Sequence, residues 1–145
     1  MMTDADKMMF PVCLPLRLDW SEMDMFGHIN NVSYFKYIQA SRVNYWEQIG
    51  LTQLHGEMKL GPILASTSCN FLKPLFFPGN IILQASISFI KTTSFGIRHQ
   101  ILNDKSEVAA TADDVIVLYD FVKNEKVAMP ADLRLKIELL EGRSF

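Results

Sequence analysis

Asp24-Met25-Phe26-Gly27-His28-Ile29-Asn30-Asn31 is the stretch on which the reading of this chain turns. A strand-like run, Cys13 to Trp20, leads into it, and helical spacing takes over from about Asn31 to Ile49. Tyr34, Ile38, Ser41, Tyr45 and Ile49 share one stripe of that helix, which Phe35, Val43 and Trp46 widen. Asn30 or Asn31 can cap its start, and Gly50 stops its end. About 19 residues is long against the usual 10–14, which gives this helix a central packing role. The stretch thus sets a carboxylate on a glycine-containing loop, seven residues ahead of a helix end that points uncommitted backbone N–H groups outward. A carboxylate and an oxyanion-stabilising helix end are two of the parts that acyl-group hydrolysis requires.

Downstream, the period changes from helical to alternating. Met58 to Lys73 carries a long, partly alternating run that Pro74 ends. In Asn80 to Lys91, Ile81, Leu83, Ala85, Ile87 and Phe89 face one way and Gln84, Ser86 and Ser88 the other. Ser94 to Leu102 repeats the pattern, Asn103 to Ser106 is a turn, and Glu107 to Phe121 returns as the last strand. Asn124 marks a further turn, and Pro130 opens a short helix through Leu140. Strand, long helix, four consecutive strands, short helix is the order of an α+β layer architecture. One helix covers only part of one sheet face, so the remaining apolar residues predict a homodimer or larger assembly.

The whole chain sets bounds on function. Its 145 residues fit a single domain, 1–145, with one sizeable core. With 49% hydrophobic and 21% charged residues it reads as folded, and a net charge of −2 without a basic block offers no nucleic-acid surface. The N-terminal Met1 to Phe10 segment lacks the apolar core of a signal peptide, and no run approaches the ~18 apolar residues of a membrane span. Cys13 and Cys69 lie inside apolar strand-like segments and read as buried thiols of a reducing compartment, so a cytoplasmic location is expected.

Several chemistries lack their sequence signatures. There is no G-x-S-x-G elbow, G-x-G-x-x-G turn or P-loop, and neither H-E-x-x-H nor C-x-x-C. His28, His55 and His99 are scattered, and Asp24 with His28 makes too few ligands for a metal, so no metal and no cofactor is expected. Taken in isolation, Asp24 is a turn residue, Gly27 a position needing positive φ, and Asn30 and Asn31 caps.

The run Arg17-Leu-Asp-Trp-Ser-Glu-Met-Asp24-Met-Phe-Gly27-His28-Ile-Asn30-Asn31-Val-Ser-Tyr34, with Arg42 further along the helix, resembles the 4-hydroxybenzoyl-CoA thioesterase-like branch of the hotdog family. Asn70-Phe-Leu-Lys73-Pro74, Pro78-Gly79-Asn80, Ser94-Phe95 and Pro130-Ala-Asp-Leu-Arg134 extend the resemblance over nearly the whole chain. The Asp-x-x-Gly-His-x-Asn-Asn core is its specific part. The resemblance implies a hotdog fold, an antiparallel five-stranded sheet wrapped around one long helix, in homodimers or homotetramers with active sites at the subunit interface.

It also implies hydrolysis of an acyl-CoA thioester to a carboxylic acid and free CoA. Asp24 falls at the family's catalytic carboxylate, as nucleophile or as general base. The Asn31 main-chain N–H, within about one residue, falls at its oxyanion donor. His28 and Asn30 fall to loop shaping and substrate contact, and Lys91 and Ser94, in the turn before the Ser94-Phe95 strand start, to the grip on CoA. Tyr34, Ile38 and residues of the Pro62 to Phe71 strand are candidate walls of the acyl pocket. That turn holds one cation where some relatives have several, which leaves acyl carrier protein as an alternative carrier. Asp113-Asp114 stands where many members have glycine, and a bulge near the sheet edge is expected there. Two other functions compete. A hydroxyacyl dehydratase of the same fold carries a His-centred signature that nothing around His55 or His99 reproduces, and a non-catalytic acyl-binding or scaffold protein has little need of Asp24.

Overall fold

Strand β1 (Val12–Arg17) runs into a single 3-10 turn, Trp20–Glu22, and beyond the Asp24 loop begins helix α1 (Asn31–Gln48). These come from a computed structural model that describes residues 9–145, so most of the segment read for a signal core lies outside the described residues. After α1 the chain departs from expectation. Gly50 adopts φ +77° and ends α1 as expected, but the chain then turns at once into a second helix, α2 (Leu51–Met58). Five strands and a helix follow: β2 (Leu60–Phe71), β3 (Asn80–Ile90), β4 (Ser94–Leu102), β5 (Val108–Asp120), β6 (Glu125–Lys126) and α3 (Ala131–Glu141).

The strands pair antiparallel in the order β1-β3-β4-β5-β2, with the two-residue β6 added alongside β5. Five antiparallel strands are the number expected, and β6 is an addition to them. β1 and β2 are the edges, and each contains a proline, Pro15 and Pro62. Proline has no N–H to donate to a ladder, so an edge is where a strand tolerates it.

The sheet curls around α1, whose buried stripe is Ser33, Tyr34, Tyr37, Ile38, Ser41, Arg42 and Tyr45. Two groups of apolar residues make the core. One surrounds the first half of α1 and includes Tyr34, Tyr37, Ile38, Leu18, Ile81 and Ile101. The other surrounds its second half, with Tyr45, Ile49, Phe95, Ile116, Leu118 and, from α3, Leu133 and Ile137. Phe35 and Val43, read as part of the buried stripe, are exposed at the surface. Gln84 and Ser86, on the face opposite Ile81, Leu83, Ala85 and Ile87, are buried as well, because β3 is an internal strand. Cys13 and Cys69 are half-buried rather than fully buried.

Three buried carboxylates tie α1 to its surroundings along its length. Glu22 accepts from Tyr37 Oη, Asp114 from Arg42, and Glu141 from Tyr45 Oη. Glu141 also accepts the Ile87 N–H at 2.8 Å, next to a register shift in the β3–β4 pairing. Burial drives the Glu141 carboxyl above its ordinary value, against the opposing effect of those bonds and of Arg143. The Asp113-Asp114 pair makes no bulge with β4 or β2. The register is continuous there, with Asp113 outward beside Arg98 at 3.4 Å and Asp114 turned into the core.

Candidate functional site

The Asp24 loop is built from its own backbone. Met23 and Ile29 form an isolated antiparallel bridge, and the Asp24 N–H donates to the His28 carbonyl at 2.7 Å. Inside this closure Asp24 Oδ1 accepts the N–H of Phe26 at 2.9 Å and of His28 at 3.2 Å, while Gly27 takes φ +82° to complete the turn. One carboxylate oxygen is thus part of the loop. The other, Oδ2, has no protein partner among the described residues, and the side chain is exposed.

The loop runs directly into the start of α1. Asn30 is the N-cap. Its Oδ1 accepts the Ser33 N–H at 2.8 Å, and its Nδ2 donates to the Glu22 carbonyl at 2.8 Å. With Ser33 satisfied in this way, the N–H groups of Asn31 and Val32 remain uncommitted among the described residues, at the positive end of an 18-residue helix. An exposed carboxylate oxygen and two uncommitted amide donors can together attack an acyl carbon and receive the charge that develops on its oxygen.

The sequence-predicted residues separate into two groups. Asp24, His28, Asn30, Asn31 and Tyr34 lie together. His28 joins the loop through its main chain, and its ring packs edge-on against Phe76 with centroids 5.2 Å apart. Tyr34 is buried, donates to the Lys73 carbonyl at 3.1 Å and meets the half-exposed Phe71 edge-on at 5.1 Å. Burial pushes the Tyr34 hydroxyl above its ordinary pKa. Within one chain Lys91 and Ser94 do not join them. The loop packs against the start of β3, through Leu18 N–H to Gly79 O and Ile29 N–H to Leu75 O, while Lys91 follows its far end, about 33 Å of strand away. There Lys91 Nζ sits 5.1 Å over the Phe89 ring.

Two open cavities of about 290 Å³ mark the same two ends. One, beside the loop, is lined by Leu18, Lys73, Leu75, Phe76, Asn80 and Lys105, among others. The second lies at the opposite end of α1, among Trp46, Leu51, Thr52, His55, Pro62 and Phe121. Among the described residues no three His, Cys, Asp or Glu side chains are arranged to hold a metal ion, and no helix is long and apolar enough to cross a membrane.

Ser41, Arg42, His99 and Asp114, named separately from the sequence, are joined by the structure in one buried polar group against α1. Asp114 Oδ2 lies 3.2 Å from Arg42 Nη1 and 2.7 Å from His99 Nε2, and His99 Nδ1 lies 2.9 Å from Ser41 Oγ. Burial disfavours the Asp114 charge. His99, the Thr67 hydroxyl and the Arg42 guanidinium outweigh it and hold the carboxyl below its ordinary range. No local motif announces such a cluster, because its members come from one helix and three strands.

Comparison with known proteins agrees with this fold. The chain is 26% identical over 98 residues to the uncharacterized protein YsmA of Bacillus subtilis (strain 168), a match spanning 68% of this chain and 65% of that relative's length. Its fold is similar to that of PA2801, a putative thioesterase from Pseudomonas aeruginosa, with TM-score 0.77, 24% identity, and 86% and 96% of the two chains covered. It is similar also to a thioesterase from Thermus thermophilus complexed with coenzyme A and Zn, with TM-score 0.83, 22% identity, and 94% and 98% covered. The model of the thioesterase-like superfamily matches residues 18–137, nearly the whole of the region from the Asp24 loop to α3, and the chain belongs to that superfamily, with its hotdog fold.

Proposed function

We propose that this protein is an acyl-CoA thioesterase in which Asp24 supplies the reacting carboxylate. The observation that carries the reading is the pairing of an uncommitted Asp24 Oδ2 with uncommitted amide donors at the start of α1, on one hydrogen-bonded loop. In one route Asp24 attacks the thioester carbon, the C–S bond breaks, CoA leaves as its thiol after taking up a proton, and water opens the mixed anhydride. In the other, Asp24 takes a proton from a water that attacks the same carbon, the C–S bond breaks, and the CoA sulfur takes up the proton as it leaves as the thiol. Either way the carbonyl oxygen gains charge, and the Asn31 N–H is placed to receive it. Thiol release measured over short, long and aromatic acyl-CoAs and acyl-carrier-protein thioesters tests the reading. Turnover on a CoA thioester is expected. No turnover on any of them, with acyl-CoA binding intact, overturns it in favour of an acyl-binding protein. A cytoplasmic setting, where CoA thioesters are made, fits this reading.

The reading includes a homodimer. From Ile63 to Ser68 every residue of β2 is exposed, without alternation, so this edge strand stands open. Such an open edge is a template for pairing. Two β2 edges paired antiparallel about a two-fold axis set the Pro62 end of one beside the Phe71 end of the other. Phe71 abuts Tyr34 and Phe35 at the start of α1, whereas Pro62 lines the cavity at its far end. Lys91, Ser94 and that cavity, remote from Asp24 within one chain, then approach the Asp24 loop of the second copy. This is how Lys91 and Ser94 can grip the carrier of a thioester that Asp24 attacks.

Ala65, exposed where the β2–β5 register shifts, tests the pairing. Ala65→Glu places like charges near the axis, a penalty of several kcal/mol. The dimer dissociation constant should rise roughly hundredfold or more by analytical ultracentrifugation, with loss of thiol release at concentrations where the variant is monomeric. A wild-type protein that sediments as an active monomer refutes the shared site.

A further inference from the structure

We infer that Glu22 is a positioning residue that fixes the Asp24 loop against the start of α1. The inference rests on the reading of Asp24 as the reacting carboxylate. Within one chain the tip of that loop is open to solvent, with Met25 90% exposed and Phe26 77% exposed. Geometry at the reacting carbon tolerates little error, so something beneath the loop must hold it.

Glu22 does so from both ends of its residue. Its carbonyl accepts the Asn30 N–H at 2.9 Å and Asn30 Nδ2 at 2.8 Å, which closes the base of the 23–29 loop. Its carboxylate, in a residue only 6% exposed, takes three more donors. Oε1 accepts Tyr37 Oη at 2.7 Å and the Asp19 N–H at 3.1 Å, and Oε2 accepts Lys36 Nζ at 3.1 Å. Tyr37 and Lys36 stand on the second turn of α1, the helix whose first N–H groups face the site. Asp24 lies two residues after Glu22, and Asn31 follows Asn30 directly. A single buried residue, its carbonyl holding the base of the loop and its carboxylate holding α1, therefore sets the position of the Asp24 carboxylate relative to the oxyanion donor. Burial opposes its charge, and the bonds from Tyr37, Asp19 and Lys36 more than offset that, so its carboxyl titrates below the ordinary value.

Glu22→Gln keeps the shape and one acceptor but turns an N–H toward donors. A misplacement of about 1 Å at a reacting group can lower the rate ~10²-fold, and the Gln variant, which retains part of the clamp, should lose roughly tenfold in kcat with KM changed less than about threefold. In an Asp24→Ala background the same substitution should produce no further loss of residual rate, because a positioning residue acts only through what it positions. Circular dichroism and the midpoint of urea unfolding establish that the variants are folded. Should Glu22→Gln not fold, Tyr37→Phe removes one bond of the clamp and should lower kcat about threefold at unchanged KM. Wild-type kcat in folded Glu22→Gln, or an equal further loss in the Asp24→Ala background, overturns the inference while leaving Asp24 in place. Full turnover by Asp24→Ala instead removes the reading on which it rests.

Discussion

Asp24→Ala is expected to lower kcat on the best acyl thioester by about 10²–10⁴-fold, the range supplied by a positioned carboxylate acting on the reacting group. Alanine also deletes Oδ1, which accepts the N–H groups of Phe26 and His28, so loss in this variant alone conflates chemistry with a loosened loop. Asp24→Asn separates the two. The amide oxygen can still accept both N–H groups and keep the turn, yet the side chain can neither attack nor take a proton at neutral pH. Comparable losses in both variants, by thiol release at saturating substrate, assign the effect to the carboxylate. An Asn variant with wild-type turnover makes Asp24 a loop builder and ends its catalytic assignment. Asn31→Ala provides the contrast. It leaves the main-chain N–H in place, so kcat should fall less than about threefold, whereas a lost oxyanion donor costs ~3 kcal/mol.

The order of elements was legible wherever burial follows hydrophobic period. Along β3, Ile81, Leu83, Ala85 and Ile87 are all but inaccessible, as the alternation demands, and the pattern loosens at Phe89, beyond the register shift. It was least legible along α1. Phe35 and Val43 looked buried because they are apolar, but the helix instead buries Ser41, Arg42 and Tyr37. Their burial is tolerable only because Glu22, His99 and Asp114 approach from elsewhere in the chain, and no local pattern encodes a partner many residues distant. The helix α2 escaped for a simpler reason. Its N-cap is Gly50, with no side chain to cap, and a glycine after a helix ordinarily signals an end. The Asp24 loop was legible as a turn and as a resemblance. That one Asp24 oxygen is spent on the turn, and that Lys91 and Ser94 lie at the far end of the sheet, required three dimensions.

Asp114→Ala should produce the largest loss of stability. The carboxylate is 1% exposed, and its removal leaves the Arg42 guanidinium and the His99 ring in the core without their acceptor. Breaking a buried pair by deleting one partner costs about 3–5 kcal/mol, a large share of the roughly 5–15 kcal/mol that holds a domain together. Urea unfolding should show that loss, and a thermal midpoint about 10–20 °C lower. Sign and pH follow from the depressed Asp114 carboxyl. Its contribution is present in full above the unfolded value of 3.8 and is lost as pH falls through the lower folded value, so wild type and variant should converge only in strong acid. Adding Arg42→Met to Asp114→Ala should recover part of the loss, because the deficit is mostly an uncompensated buried charge rather than a missing attraction. Strictly additive losses in that double variant would place the energy in packing around Trp46, over whose ring the guanidinium sits at 5.9 Å, and not in the ion pair.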